Sequence, residues 1–222
     1  MAKALTPDIC VIGAGPAGLA VATGAAAYGA GVVLVDRMMP AHNVGHGDLA
    51  TAALHAAARR TSALRAQRKS SSAEEETELD FKAVILGIGD IVTDAVPACS
   101  PERLATLGIT FIQAEARFTG RRKLMACETE IRARRYVLAT GSVPVVPAIP
   151  GLEEVGYLTA DTVFDLGRRP GHLVVIGGDV AALELAQTFR RLGSHVTLLA
   201  ESVVPEVDPE MTAVVVRRLH EE

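Results

Sequence analysis

Short apolar runs alternate with longer stretches of helical spacing along this chain. Asp8 to Ile12 is mostly apolar and ends at Gly13, the pattern of a buried parallel strand. Gly15 to Gly29 follows with helical spacing and many alanines, and Gly31 to Val35 is a second apolar run closing at Asp36. Strand–helix–strand is the building unit of the doubly wound α/β fold. A Gly- and His-containing loop over Met38 to Gly47 leads into an Ala- and Arg-rich helix from about Asp48 to Lys69. Ser70 to Glu78 (SSSAEEETE) is the most polar stretch and reads as a linker before a second helix, Asp80 to about Val96.

Ile109 to Ala114, Leu124 to Glu128, Glu130 to Arg134 and Tyr136 to Ala139 then read as strands, the last ending at Thr140–Gly141. Pro144, Pro147 and Pro150 break regular structure and mark a boundary. Beyond them a second strand–helix–strand unit is expected: His172 to Ile176, Val180 to Leu192, His195 to Leu199, with a further helix over Asp208 to His220. The fold expected is therefore α/β and Rossmann-like, with a three-layer dinucleotide-binding domain over 1–150 and the first part of a second over 151–222.

Composition narrows the function classes. About half of the 222 residues are apolar, the formal net charge is −4, and Trp is absent. No basic face suggests a nucleic-acid partner, and no apolar run approaches the roughly 20 residues that cross a bilayer. A cytoplasmic protein is expected. Cys10, Cys99 and Cys127 are far apart and form no CxxC or CxxxxC pair.

The strongest chemical signal is Gly13–Ala14–Gly15–Pro16–Ala17–Gly18, a G-x-G-x-x-G between a strand and a helix, with Asp36 at the end of the next strand. Gly13 permits the tight turn, Gly15 lets backbone approach a pyrophosphate, and Gly18 lets helix lie close to strand. The helix N-terminus offers N–H groups and positive dipole to phosphate, and Asp36 can accept from ribose hydroxyls.

VIGAGPAGLAVA, QAEARFTG, IRARRYVLATGS, LTADTVFDL and VVIGGDVAALELAQTFRRLGSHVTLLAE, in that order, resemble the pyridine nucleotide-disulfide oxidoreductases, with ALELAQTFRRLGS most like mercuric-reductase-type members. The resemblance implies FAD on the first turn, held by Gly13, Ala14, Gly15, Pro16, Ala17 and Gly18. Asp36, followed by Arg37, would meet the adenosine ribose where the family usually has Glu. Ala116 would meet the adenine edge, and Thr140 and Gly141 would lie against the flavin nucleotide. Gly177, Gly178 and Ala182 would belong to an NAD(P) turn.

Two departures accompany the resemblance. The family's Cys-x-x-x-x-Cys pair is replaced: one alignment puts Asn43 and Asp48 at its positions, another Ala41 and His46, so no catalytic residue is assigned. Glu184 then lacks its expected Lys partner, which the alignments replace with Ala52 or Ala50. The second turn carries Asp179 where a phosphate should approach, a repulsion of a few kcal/mol, and its ribose acid is replaced by Ala200, followed by Glu201. NAD(P) is expected to bind poorly. The resemblance also implies further segments beyond Glu222, among them a dimer domain, so homo-oligomer formation stays open.

His42, His46, Asp48 and His55 cluster, but Gly45 and Gly47 argue against helix there, and no metal site is expected. Arg59, Arg60, Arg65, Arg68 and Lys69 read as the solvated face of a helix. Two functions follow: an FAD-dependent oxidoreductase without thiol chemistry, or an inactive relative that binds nucleotide or another protein.

Overall fold

The computed structural model describes residues 3–40, 48–70 and 80–222. The expected linker and most of the Gly/His loop lie outside these residues. Two compact units divide the chain: Met1–Leu49 with Asp90–Val146, and Ala50–Gly89 with Pro147–Glu222.

The first unit is built on four parallel strands, β2 (Ile9–Ile12), β3 (Val32–Asp36), β4 (Ile109–Gln113) and β8 (Arg135–Leu138), in the order β4-β3-β2-β8. Strand alternation sends side chains to both faces. On one face Val11, Val32 and Leu34 are buried with Ala14, Ala22, Leu104 and Ile109, against the helices Pro16–Ala27 and Pro101–Thr106. On the other, Cys10, Val33 and Val35 pack with Leu124, Ala126 and Ile131 of a second sheet. That sheet has the order β1-β7-β6-β5, from β1 (Lys3–Leu5), β5 (Ala116–Gly120), β6 (Lys123–Ala126) and β7 (Thr129–Ile131). Helices, parallel sheet and small mixed sheet make three layers, as the apolar runs predict: strands buried on both faces need no polar alternation.

The sequence reading omits β5 and the helix Pro101–Thr106. The helix is six residues long, too short for a periodic signal, and is started by Ser100, whose hydroxyl accepts the Arg103 N–H at 3.2 Å. In β5 most positions are exposed, so no apolar run marks it.

In the second unit β9 (His172–Ile176) and β10 (His195–Leu199) pair in parallel around the helix Val180–Leu192. Leu183, Ala186, Phe189 and Leu192 of that helix are buried, and the Phe81 ring lies 6.3 Å from that of Phe189. Here one expectation changes. Arg65, on the helix Asp48–Ser70, is not simply solvated: its Nη1 donates to the Arg191 carbonyl at 2.9 Å. Arg169 Nη1 donates to the Gly193 carbonyl at 2.5 Å. Two guanidinium groups thus satisfy carbonyls at the C-terminus of one helix, where its dipole favours positive charge. Among the described residues no helix is long and apolar enough to cross a membrane.

Candidate functional site

The two turns predicted from sequence have the same backbone plan and opposite local chemistry. In the first unit the Gly13 N–H donates to the Val35 carbonyl at 2.8 Å, and the Leu19 N–H donates to the Gly15 carbonyl at 2.9 Å, opening the helix. In the second unit the Gly177 N–H donates to the Leu199 carbonyl at 3.0 Å, and the Leu183 N–H to the Asp179 carbonyl at 3.1 Å. Gly15 and Asp179 are the equivalent N-cap residues. Both are extended, with φ −73° and ψ −179° at Gly15 and φ −77° and ψ 172° at Asp179.

The first turn is shaped by missing side chains. Gly13 has φ +108°, and a Cβ built there would lie 2.0 Å from the Ala139 carbonyl oxygen. A Cβ at Gly18 would lie 1.9 Å from the Gly13 carbonyl oxygen. These two glycines therefore bring turn, helix and the end of β8 into contact. At Gly15 a Cβ would meet nothing within 4 Å, and no side chain caps this helix. Pro16, at the first helical position, carries no N–H to satisfy. The amides that follow remain turned to an open N-terminus.

Asp36 is placed at this turn, with its carboxylate already engaged. Oδ2 accepts the Ala14 N–H at 2.6 Å and Oδ1 the Met38 N–H at 2.8 Å. The main chain carries the arrangement on: the Ala114 N–H donates to the Asp36 carbonyl at 2.8 Å, and Gln113 Nε2 to the Arg37 carbonyl at 3.5 Å. Ala116 follows in β5, half-buried opposite Ala126. Ala139 and Thr140 backbone lies against Gly13, while the Thr140 side chain and Gly141 (φ +69°) are exposed. Gly13, Ala14, Gly18, Asp36 and Thr140 are thus brought together, Gly15, Pro16 and Ala17 start the helix, Arg37 directly follows Asp36, and Ala116 lies in β5 of the second sheet.

The second turn is closed by its own side chain. Asp179 Oδ1 accepts the Ala182 N–H at 2.8 Å. Ala182 corresponds in position to Gly18, so the amide left open in the first turn is occupied by a carboxylate in the second. Gly178 is covered as well: a Cβ there would lie 1.9 Å from the Ser202 carbonyl oxygen, and the Val204 N–H donates to the Gly178 carbonyl at 2.7 Å. A cleft of about 500 Å³ beside this turn includes Asp179, Glu201 and Glu206 in its lining, so its charge is unfavourable to a phosphate. Ala182 packs near Gly177, 3.4 Å from the position of a Cβ there. Glu184 is exposed.

Of the thiols, Cys10 is fully buried in β2, and burial pushes it up to about 12. Burial also raises Cys99, while Cys127 is exposed at φ +51°. Ala41, His42, Asn43 and His46 lie outside the described residues. Among the described residues no three His, Cys, Asp or Glu side chains group as metal ligands.

Two such turns in a parallel α/β framework are the plan of a dinucleotide-binding fold, and comparison narrows the class. The family model for pyridine nucleotide-disulphide oxidoreductases matches residues 7–222, and the chain belongs to that family. It is 35% identical over 214 residues to a mercuric reductase of Streptomyces lividans, covering 93% of this chain and 45% of that protein. A mercuric reductase of Shewanella putrefaciens is 48% identical over 79 residues, covering 36% of this chain and 14% of that protein. Among solved structures, the Cu(II) complex of the HOCl-induced flavoprotein disulfide reductase RclA from Escherichia coli superposes with a TM-score of 0.76 at 25% identity. That match covers 96% of this chain and 46% of RclA. The chain spans about half the length of these relatives in the full-coverage matches.

Proposed function

We propose that this chain is an FAD-binding flavoprotein that exchanges electrons without a thiol–disulfide cycle. The observation that carries the proposal is the first turn: glycines whose Cβ atoms would strike backbone, an uncapped helix N-terminus, and a carboxylate at the end of the next strand. Gly13, Ala14, Gly15, Pro16, Ala17 and Gly18 would face the pyrophosphate. Asp36 and Arg37 would meet the adenosine ribose, Ala116 the adenine edge, and Thr140 and Gly141 the flavin nucleotide. Bound flavin supplies one- and two-electron transfer. The chain's own residues hold and orient it. Membership in a family whose relatives include a flavoprotein disulfide reductase supports this reading.

Thiol chemistry is left out of the proposal for a chemical reason. A thiolate beside the flavin must attack the substrate and a second thiol must resolve the product. Cys10 lies in the core of the first unit, and no cysteine occurs from Val11 to Ala98. A second reading, a nucleotide-binding or interaction module without turnover, is favoured by the Asp179 carboxylate on the second turn.

The test uses purified protein loaded with FAD, photoreduced, then mixed anaerobically with oxidised lipoamide, glutathione disulfide, mercuric ion or a quinone. Reoxidation by the quinone alone supports the flavoprotein reading. Reoxidation by none of them supports the second. Reoxidation by any of the first three overturns the account of the site, whether or not it survives replacing all three cysteines by Ser.

A further inference from the structure

One side-chain pair in the second unit has no part in either turn. In the parallel ladder of β9 and β10, His195 is the direct register partner of His172. Both side chains are exposed on the face they share with Thr197, two residues beyond His195. Adjacent strands run about 4.8 Å apart, so two imidazoles start from neighbouring backbone positions. His172 Nε2 lies 2.8 Å from the Thr197 hydroxyl. That contact orients the ring and leaves Nδ1 as its second nitrogen, in the way a metal-binding imidazole is fixed through its other nitrogen.

We propose that His172 and His195 form a two-imidazole site for one divalent transition-metal ion of the zinc, nickel or copper type. Imidazole suits these ions, which bind its nitrogen at about 2.0–2.1 Å in the case of zinc. Both ligands sit on a hydrogen-bonded ladder, so much of the ordering cost of bringing them together is met by the fold. Water completes the coordination, because among the described residues no third His, Cys, Asp or Glu joins the pair. The pair lines an open cleft of about 430 Å³, large enough for a hydrated ion. Arg190 also lines it, and its Nε is held by the Glu222 carbonyl at 2.9 Å.

The site bridges two strands and exists only in the folded unit, so metal should also stabilise that unit. The test uses tag-free full chain carrying Cys127→Ser, which removes the exposed competing thiol. Titration with Ni²⁺ or Zn²⁺ by calorimetry should show one saturable site per chain, weakened at least tenfold by His172→Ala or by His195→Gln. Thermal unfolding should shift upward with Ni²⁺ in the parent and not in the double variant. In ¹⁵N spectra of the unsubstituted protein, the ring nitrogens of both histidines should respond to Zn²⁺ together, a readout that needs no variant to fold. Absence of saturable binding below about millimolar metal, or binding and thermal shift that survive the double substitution, overturns the proposal.

Discussion

Replacing Asp179 by Gly should raise the affinity for NADH or NADPH at least tenfold, about 1.4 kcal/mol. Two costs are removed together. The carboxylate no longer repels a pyrophosphate at close range, an interaction worth a few kcal/mol at the effective dielectric of a protein surface. The Ala182 N–H, now committed to Asp179 at 2.8 Å, becomes a donor for phosphate. The helix loses its cap, but Gly is itself a tolerated N-cap, so the penalty should be a few tenths of a kcal/mol. Asp179→Asn separates the two terms: it keeps a capping oxygen while removing charge. It should recover only part of the affinity if occupation of the amide matters. Calorimetry with each nucleotide on the three proteins decides it. Equal and tight binding to all three would show that Asp179 does not govern this turn.

A second large effect is expected at Gly13. Gly13→Ala forces a residue with a Cβ into φ +108°, and that Cβ would sit 2.0 Å from the Ala139 carbonyl oxygen. The left-handed conformation alone costs on the order of 1–3 kcal/mol, and relieving a backbone overlap requires β2 and β8 to part. β8 is the edge strand paired to the central β2, and the Ala139 N–H donates to the Ile12 carbonyl at 2.8 Å just before the turn. The substitution should lower stability by more than about 3 kcal/mol, at the severe end for a point change, and abolish retention of FAD. Gly24→Ala, on the same helix with nothing within 4 Å of its Cβ position, should be neutral or stabilising. Urea denaturation of both variants checks the contrast. A Gly13→Ala protein as stable as its parent would contradict the geometry.

Much of the second unit's framework was legible because its boundaries carry strong local chemistry. His172–Ile176 and His195–Leu199 are apolar-rich runs each preceded by a turn, and Val180–Leu192 lies between an Asp and a Gly. Gly193, with φ +101°, ends that helix in the left-handed conformation glycine favours. The first unit's parallel strands were legible for a related reason, since burial on both faces leaves an uninterrupted apolar run. Strand β5 and helix Pro101–Thr106 were not, because one is mostly exposed and the other is a single short turn and a half.

At the sites, sequence showed which residue types meet but not which groups they satisfy. From sequence Asp36 reads as a ribose partner, yet it also binds the Ala14 amide inside the turn, a contact between residues 22 apart in sequence. Asp179 reads as a repulsive charge, and its position directly before a helical run is also an N-cap signal that points to its hydrogen bond. Arg65 read as one of several solvated cations. Its partner carbonyl is 126 residues away, and no local pattern encodes that pairing.

The contrast between an open first turn and a self-capped second turn is tested most directly by transplanting the second turn's feature into the first. Gly15→Asp places the carboxylate at the N-cap position equivalent to Asp179, where a Cβ meets nothing within 4 Å and the backbone is already extended, so folding should be retained. Titration with FAD, followed by the absorption of bound oxidised flavin, should show binding to the parent protein and a loss of at least tenfold in the variant. Undiminished FAD binding by a folded Gly15→Asp protein would contradict the account.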